Sequence, residues 1–385
     1  YEISCSLVGS EMCIRDRDGQ MLLCHSTHIV MTKEVAETEM HAAKRLQEAI
    51  RQETGLILPF SVGEVREGDL SLGIAKTLPE QTYEITIDEK GGQISGGDGA
   101  GVLYGVETFC QIVQQCGGIL PCVQIQDAPD MPNRGYYFDQ TRGRILKLEE
   151  LKKIADRMCR YKLNQLQLYV EHTYLFRDFS EMWRDQTPLT AEEIRELDSY
   201  CRERHIELVP SLASFGHLCT LLSTKTYGDL CEMEDSWKEP FSFWNRMRYH
   251  TINVSDERSL PLIKKMIAEY MQLFSSNKFN ICADETFCLG KYKSKKLAEE
   301  RGVHRLYIDY VKELAQFLVE NGKIPMFWGD IIWNSPELMK ELPESMICLN
   351  WGYAPEQRED ETRAIAQTGA VQYPVSYPHL TLPTN

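Results

Sequence analysis

The sequence has no long apolar run, no excess of glycine or proline, and fewer basic than acidic residues. No stretch approaches the roughly 18 consecutive apolar residues that indicate a membrane-spanning helix, so we expect no transmembrane segment. The chain has 25 glycines and 16 prolines among 385 residues, too few for a low-complexity protein. A net charge of −15 argues against nucleic-acid binding, which needs a basic surface, and against docking on anionic lipid.

The 13 cysteines lack the paired spacing of zinc sites and of most disulfide frameworks. No CxxC pair occurs, and five residues separate each neighbouring pair among Cys110, Cys116 and Cys122. Cys282 and Cys348 lie within apolar runs. These features favour buried free thiols in a reducing compartment, and hence a cytoplasmic protein.

The two ends of the chain fit no pattern of folded structure. Residues 1–17 have neither a clean hydrophobic period nor the basic start and apolar middle of a signal peptide. The last eleven residues, 375–385, are equally atypical. Both ends resemble translated adapter sequence, and the alternative is a pair of disordered tails. We therefore place residues 1–18 and 375–385 outside the fold. We also expect both natural termini to be missing, which leaves secretion open.

Residues 19–128 have the pattern of a small α/β domain. An apolar stripe over 38–54 predicts a helix that stops at glycine, and a second helix is predicted over 101–115. Strand patterns occupy 70–75 and 82–88. A proline-containing boundary near residue 128 ends this domain.

Residues 129–374 alternate between buried strands and amphipathic helices. Strands are predicted at 135–139, 165–170, 206–211, 279–283, 325–328 and 347–351, and the helices between them at 148–160, 190–204, 260–274 and 303–320. Strands that are apolar throughout indicate a parallel sheet covered by helices, and six such units in a row favour a (β/α)8 TIM-type barrel. A weak helix at 362–368 and a seventh strand at 370–374 follow. We therefore expect a barrel truncated after strand six or seven, and an inactive chain.

Polar and aromatic residues collect at the carboxyl ends of the six predicted strands. In a barrel these ends share one rim, where active sites lie. Polar strand ends are ordinary one at a time, because loops begin there, but six together with carboxylates and tryptophans predict a site. The residues concerned are Asp139, Arg142, Glu171, His172, His217, Asp284, Glu285, Trp328, Asp330, Trp351 and Tyr353.

The pair Asp284-Glu285 suits glycoside hydrolysis, which uses two carboxyl groups around an oxocarbenium-like transition state. Adjacent residues in a strand point to opposite faces, so both can face the rim only where the chain turns out of the strand. A neighbouring negative charge raises the pKa of one carboxyl, which helps it stay protonated as a general acid. Tryptophans at strand ends suit the apolar faces of a sugar ring, whereas Trp183 and Trp333 fit core packing better.

The sequence resembles the β-N-acetylhexosaminidases of glycoside hydrolase family 20 from about residue 82 to 374. The segment YEITIDEKGGQISGGDGAGVLYGVETFCQIV resembles the end of that family's small N-terminal domain. RGYYFDQTR, KLNQLQLYVEHTYLF and VPSLASFGH resemble its first three barrel strands, and FNICADE resembles its Asp-Glu strand.

This resemblance implies a retaining exo-β-N-acetylhexosaminidase that removes terminal β-linked N-acetylglucosamine or N-acetylgalactosamine. In the implied substrate-assisted mechanism, the acetamido oxygen attacks the anomeric carbon and forms an oxazolinium intermediate. Glu285 would act as the general acid and then the base, and Asp284 would hold the acetamido N–H. The resemblance implies these further substrate-binding residues: Arg142, Glu171, His217, Trp328, Asp330, Trp351 and Tyr353. It implies no metal and no organic cofactor. The expected partner is an N-acetylhexosamine-containing glycan, and the oligomeric state stays open.

Several residues depart from the pattern of the resembled family. Asn280 stands where a histidine is usual, and Cys282 and Ala283 stand where glycines are usual. Glu171-His172 replaces a common Asp-Asp pair, which predicts a divergent bacterial subgroup. Two alternatives remain: another retaining glycosidase on a TIM barrel, and a catalytically dead carbohydrate-binding barrel. The presence of both carboxylates disfavours the second, since binding alone needs no acid.

Overall fold

The computed structural model describes residues 13–352 and 359–376 and contains two compact units. The first unit comprises the residues up to 136 together with 149–166 and 199–207. The second comprises 137–148, 167–198 and the chain from 208 onward. Among the described residues, no helix has the length and apolar character needed to cross a bilayer.

The first unit contains a seven-stranded mixed sheet with helices packed on it. Its strands are β1 (Cys13–Leu22), β2 (Ile29–Met31), β3 (Phe60–Val62), β4 (Leu70–Ile74), β5 (Tyr83–Asp88), β6 (Gly91–Gly96) and β7 (Ile119–Asp127). Its helices are α1 (Lys33–Thr38), α2 (Met40–Thr54) and α3 (Gly99–Cys116). The strand order in the sheet is β1-β7-β5-β6-β4-β2-β3. The two helices and the two strands predicted for this domain are therefore all present.

Strand β1 corrects part of the prediction that residues 1–18 lie outside the fold, because residues 13–18 belong to this strand. The strand begins at Cys13 and pairs antiparallel with β7, with Cys13 opposite Gln126 and Leu22 opposite Ile119. Local periodicity does not show this strand, because its stability comes from a partner more than 90 residues away in the sequence.

Helix α3 is buried on almost all sides, and its first turn depends on Asp98 and Gly101. The side chain of Asp98 caps the helix by accepting a hydrogen bond from the Gly101 amide (2.8 Å). A Cβ atom on Gly101 would lie 2.2 Å from the carbonyl oxygen of Thr82, so only glycine permits this close approach to the sheet.

A fully buried lysine ties three side chains together inside the first unit. Lys162 Nζ donates hydrogen bonds to Thr108 Oγ1 (2.7 Å) and Tyr83 Oη (2.9 Å). The same nitrogen lies 3.7 Å from the carboxylate of Asp127, and both charged side chains have no exposed surface. Removing one partner of a buried pair leaves an uncompensated charge, which is more costly than losing the pair.

We predict that Lys162→Met lowers the free energy of unfolding by about 3 kcal/mol, because Asp127 then stays buried without its cation. Urea-induced unfolding, monitored by circular dichroism, measures this change. Lys153→Met is the matched control, since Lys153 is 62% exposed and pairs only with an exposed glutamate in the described structure. Equal stability of the two variants would contradict the prediction.

The second sheet has the strand–helix alternation expected of a TIM-type barrel. Its strands are β8 (Gly135–Asp139), β9 (Gln165–Val170), β10 (Glu207–Leu212), β11 (Lys278–Asn280), β12 (Ile324–Trp328), β13 (Ile347–Gly352) and β14 (Val371–Ser376). They lie in chain order, and the pairs from β10 to β14 are parallel. All seven predicted strands, including the last, are therefore confirmed. Strand β14 continues to Ser376 and pairs with β13 along its whole length, so residues 375 and 376 lie in the fold, where the prediction placed 375–385 outside it.

Helices connect or follow these strands. They are α4 (Leu148–Arg160), α5 (Ser180–Trp183), α6 (Ala191–Arg202), α7 (Cys219–Leu222), α8 (Phe243–Arg248), α9 (Ser259–Met271), α10 (Lys295–Arg301), α11 (Val303–Glu320) and α12 (Glu359–Ala366). Short 3-10 helices occupy Gly228–Leu230, Ser236–Lys238, Ile332–Asn334 and Pro336–Glu341. A capping box begins α6: the Thr190 amide donates to Glu193 Oε2, and the Glu193 amide donates to Thr190 Oγ1.

Candidate active site

A cleft of about 560 Å³ lies at the carboxyl ends of the strands in the second unit. Six of the strand-end residues singled out in the sequence line it: Asp139, Arg142, Asp284, Glu285, Trp328 and Trp351. The other lining residues are Tyr137, Tyr169, Phe243, Trp244, Met247, Arg248 and Phe287. Tyr353 lies outside the described residues. The size is in the range of small-molecule sites, and the lining combines aromatic rings with a few charged groups.

The chain leaves the extended conformation before it reaches the two carboxylates. The fourth strand of this sheet, β11, ends at Asn280 rather than at the predicted residue 283, because Cys282 (φ 58°) and Ala283 (φ 64°) are left-handed. Glu285 is also left-handed (φ 47°). This turn brings the adjacent side chains of Asp284 and Glu285 into one cleft, whereas a continued strand would point them to opposite faces.

Hydrogen bonds hold this unfavourable turn in place. The side chain of Asn280 accepts from the Cys282 amide (2.8 Å) and donates to Gln167 Oε1 (3.1 Å). Tyr307 donates to the carbonyl of Ala283 (3.0 Å). A left-handed backbone conformation costs a residue other than glycine roughly 1–2 kcal/mol. This cost is a physical reason for the glycines that the resembled family usually has at positions 282 and 283. Asn280 therefore has a local structural role.

His217 lies between the two carboxylates. Its Nε2 atom is 3.3 Å from Asp284 Oδ2 and 3.3 Å from Glu285 Oε2, and the attraction is electrostatic rather than a set of well-aligned hydrogen bonds. Gly216 makes the approach possible, since a Cβ atom there would lie 2.5 Å from the carbonyl oxygen of Asp284. The supporting role of His217 stays a prediction.

His217 and Asp284 influence each other's protonation. Burial is the largest single effect on His217 and lowers its pKa, but the charge and hydrogen bonding of Asp284, together with smaller contributions from Glu285 and Glu171, outweigh it and raise that pKa to about 10. Burial opposes ionisation of Asp284 in turn, yet the charge of His217 holds the pKa of this carboxyl below its ordinary value. At neutral pH a buried imidazolium therefore lies beside the ionised Asp284 of the cleft.

Asp330 lies behind the carboxylates rather than on the cleft wall. Its Oδ2 atom accepts a hydrogen bond from the Glu285 amide (3.0 Å), so it fixes the backbone that carries the expected acid. Burial, and then the charge of Asp284, raise the pKa of Asp330 well above its ordinary value. The structure thus gives Asp330 a positioning role, where the sequence predicted contact with substrate.

The raised pKa of Asp330 predicts a pH effect on stability. The folded protein holds this proton more tightly than the unfolded chain, so the stabilisation is complete below the unfolded pKa and is lost as the pH rises through the folded pKa. We predict that Asp330→Asn, which stays neutral, loses less stability than the unsubstituted protein between pH 6 and pH 9. Urea unfolding at the two pH values measures this difference. Asp185→Asn, at an exposed side chain, should match the unsubstituted protein.

Arg142 is held at the cleft by the residues around it. Its Nε atom donates to Asp139 Oδ2 (2.7 Å), and its guanidinium lies 4.8 Å from the centre of the Tyr169 ring. Glu171, only 3% exposed, lies 3.9 Å from Arg142 and accepts from Tyr169 and from Arg246 Nη2 (3.1 Å). Glu171 therefore contacts Arg142 and Arg246 from the protein interior. It does not line the cleft, where the sequence predicted a sugar contact.

The aromatic walls are partly as predicted. Trp328 packs edge-on against Tyr137, with ring centres 5.0 Å apart, and Trp351 contacts Trp333 at 5.8 Å. Trp333 does not line the cleft, as expected of a packing residue. Sequence reasoning missed Tyr137 and Tyr169, which lie inside strands. It also missed the residues of α8, whose only sequence signal is the cluster of aromatic and basic residues in SFWNRMR.

Comparison with known proteins places both parts of the chain in one family. Residues 13–128 match the model of glycosyl hydrolase family 20, domain 2, and residues 132–373 match the model of the family 20 catalytic domain. A β-hexosaminidase of Porphyromonas gingivalis is 24% identical over 369 residues, which cover 86% of this chain and 46% of that protein. A β-hexosaminidase of Akkermansia muciniphila is 30% identical over 162 residues, which cover 37% of this chain and 33% of that protein. The chain spans about half the length of such relatives, or less.

Solved structures show the same fold. The β-N-acetylhexosaminidase of Bacteroides fragilis has a TM-score of 0.77 at 18% identity, covering 94% of this chain and 74% of that one. The chitobiase of Flavobacterium johnsoniae has a TM-score of 0.80 at 18% identity, and the match covers 94% of this chain and 58% of that one. The exo-β-N-acetylglucosaminidase of Vibrio harveyi, solved with N-acetylglucosamine, has a TM-score of 0.75 at 18% identity, covering 94% and 59%. Because the catalytic-domain match alone extends over more than half of its residues, this chain belongs to glycoside hydrolase family 20.

Proposed function

We propose that the full gene product is a retaining exo-β-N-acetylhexosaminidase that cleaves terminal β-linked N-acetylglucosamine or N-acetylgalactosamine by substrate-assisted catalysis. The observation that carries this proposal is the pair of Asp284 and Glu285 in a cleft that Arg142 also lines, with the buried His217 3.3 Å from both carboxylates. The β-hexosaminidases that the chain resembles, and the N-acetylglucosamine bound by the Vibrio harveyi enzyme, support this substrate class.

Asp284 is suited to the acetamido group of the substrate. Its ionised carboxylate accepts the acetamido N–H, which aims the acetamido oxygen at the anomeric carbon. As that oxygen bonds to the carbon, positive charge develops on the oxazolinium ring, and the nearby negative charge stabilises it. His217 keeps Asp284 ionised, because the imidazolium lowers the pKa of this carboxyl.

Glu285 is suited to move the proton. In the first step its carboxyl group gives a proton to the glycosidic oxygen as the bond from that oxygen to the anomeric carbon breaks. In the second step the resulting carboxylate takes a proton from water, and the water oxygen attacks the anomeric carbon and reopens the oxazolinium ring. Two inversions at one carbon give net retention. The side chain is 26% exposed, so both the leaving group and the water can reach it.

Arg142 and the aromatic walls are suited to hold the sugar. The guanidinium presents several N–H donors in a fixed plane, and its ion pair with Asp139 sets the direction of that plane. Trp328 and Trp351 offer aromatic faces to the C–H faces of a pyranose ring.

A second candidate is a retaining glycosidase that uses two carboxylates, one of them as nucleophile. The ligand oxygens of Asp284 and Glu285 lie within 4.8 Å of each other, close to the roughly 5–5.5 Å of such pairs. Against this candidate, both side chains come from adjacent residues, whereas a nucleophile and an acid must flank the sugar.

Substrates with and without the 2-acetamido group distinguish these candidates. We expect the full gene product to hydrolyse aryl β-N-acetylglucosaminide or aryl β-N-acetylgalactosaminide, and to leave aryl β-glucoside intact. Proton NMR should show the β-anomer of the sugar as the first product. Turnover of the glucoside would favour the two-carboxylate mechanism, and no turnover of any of the three would contradict both.

A further inference from the structure

Helix α8 contributes four residues to the cleft but buries none of its own side chains. The four that line the cleft are Phe243, Trp244, Met247 and Arg248, and all six residues of the helix are exposed or half-buried. Most helices in folded proteins are held by an apolar face that packs against the core. The position of α8 therefore depends on polar contacts and on the loop that carries it.

The loop that carries α8 is closed at its base by a short antiparallel pairing. Cys231 pairs with Ile252, and the amide of the next residue, Glu232, donates to the Thr251 carbonyl (2.9 Å). We call the residues that this pairing encloses, 233–250, the α8 loop. Because both ends of the α8 loop leave from this pairing, a contact that fixes the pairing also fixes the loop.

The side chain of Glu232 reaches from the base of the α8 loop to the chain that follows the two carboxylates. It is fully buried. Its Oε1 atom accepts from the Ser294 hydroxyl (2.7 Å), from the Ser294 amide (3.0 Å) and from the Tyr292 amide (3.2 Å). A carboxyl group away from water is costly unless its oxygens are hydrogen-bonded, so the burial of Glu232 requires residues 292–294 to stay in place.

A second contact joins the end of α8 to the same part of the chain. Cys288, which follows Glu285 by three residues and is 3% exposed, donates from Sγ to the Arg248 carbonyl (3.1 Å). The α8 loop is thus held at its base through Glu232 and at the end of its helix through Cys288. Both contacts lead to residues 288–294.

The position of α8 also reaches Arg142, the predicted sugar-binding residue. Met247 Sδ lies 3.2 Å from Arg142 Nη1. Arg246 donates to Glu171, which lies 3.9 Å from Arg142. A displacement of about 1 Å in the groups that hold a substrate can cost about 10²-fold in rate. A shift of the α8 loop would therefore be felt in catalysis.

We propose that Glu232 is a positioning residue of the active site, which fixes the α8 loop, and with it the cleft residues of α8, relative to Asp284 and Glu285. This inference rests on the proposed function and adds to it a residue that does not line the cleft. Glu232 acts through the loop that it holds and through residues 292–294.

Two substitutions remove parts of the same contact. Glu232→Gln places an amino group against N–H donors, and Ser294→Ala removes the hydroxyl donor. In the full gene product they should lower kcat/KM for aryl β-N-acetylglucosaminide by about tenfold and about threefold, respectively. Glu107→Gln is the matched control, because Glu107 is an equally buried carboxylate that pairs with Arg45 in the first unit. It should lower stability and leave kcat/KM within about twofold of the unsubstituted protein.

The double variant separates a shared contact from general damage. If both substitutions act through the contact between Glu232 and Ser294, the double variant should lose no more kcat/KM than Glu232→Gln alone. Losses that multiply would overturn the proposal, since they would indicate two independent effects. Circular dichroism verifies that each variant is folded at the assay temperature, and Ser294→Ala carries the kinetic test should Glu232→Gln fail to fold.

Amide hydrogen exchange tests the same role without turnover. Glu232→Gln and Ser294→Ala should each raise exchange in the α8 loop and in residues 290–294, while β9 and β10 stay protected. Unchanged exchange in the α8 loop, or unchanged kcat/KM in both folded variants, would overturn the proposal. Raised exchange throughout the second unit would also overturn it, because Glu232 would then stabilise the whole unit. Failure of the unsubstituted protein to cleave the substrate would instead overturn the proposed function.

Discussion

Glu285→Gln, made in the full gene product, is expected to lower kcat for a β-linked N-acetylglucosamine disaccharide by about 10²- to 10⁴-fold, the usual contribution of general acid–base catalysis. Glutamine keeps the size of the side chain and removes the proton that the glycosidic oxygen needs. Because the Glu285 amide bonds to Asp330, the turn that carries the side chain should stay in place.

Leaving-group dependence separates this role from simple damage. A dinitrophenyl leaving group departs without protonation, so the first step on that substrate should suffer far less from Glu285→Gln than the same step on the disaccharide. Steady-state and burst kinetics on the two substrates measure the difference. Glu239→Gln, at an exposed position on the α8 loop, should behave like the unsubstituted protein. A loss smaller than about threefold on the disaccharide would contradict the assignment of the acid.

The sequence was a good guide wherever local pattern and burial agree. Helix α11, for example, has the predicted bounds of 303–320, because its apolar residues repeat at helical spacing and glycines flank it. The strands β8, β9 and β14 were also predicted from local pattern, because each is a short, largely apolar run between polar turns. The position of Asp284-Glu285 at the rim followed from the alternation of strands and helices, since parallel strands bring their carboxyl ends to one edge.

What the sequence could not show depends on distant partners. Strand β1 needs β7, and the burial of Glu171 needs Arg246, which lies 75 residues further along the chain. Asp330 seemed a substrate contact because it ends a strand, yet its carboxylate points back to the Glu285 amide. The left-handed turn at Cys282 and Ala283 carries no local signal either, since neither residue favours that conformation. In the first three of these cases the partner is far away in the sequence.

Asp284→Asn is expected to lower kcat/KM for N-acetylglucosaminides by about 10²-fold or more, on the scale of removing one preorganised electrostatic group from a catalytic site. Asparagine keeps the shape of the side chain but cannot stabilise the positive charge of the oxazolinium. The loss should therefore appear in formation of the intermediate, and it should persist on substrates with good leaving groups, unlike the loss in Glu285→Gln.

The same substitution has an effect on His217 that does not depend on turnover. Since Asp284 makes the largest contribution among the groups that raise the pKa of His217 to about 10 against the effect of burial, its removal should lower that pKa. Proton NMR of the imidazole measures the change, and Asp185→Asn should leave the pKa of His217 where it was.

Inhibitor binding distinguishes the proposed role of Asp284 from that of a nucleophile. A thiazoline derived from N-acetylglucosamine has the ring of the oxazolinium intermediate, and its ring nitrogen is placed where the acetamido N–H lies in the substrate. If Asp284 accepts that N–H, Asp284→Asn should weaken the thiazoline by about tenfold or more, because a charge-assisted hydrogen bond is lost. Calorimetry or competitive inhibition measures the affinity. Equal thiazoline affinity in the two proteins, together with the loss of turnover, would assign Asp284 to direct attack on the anomeric carbon and would contradict the substrate-assisted mechanism.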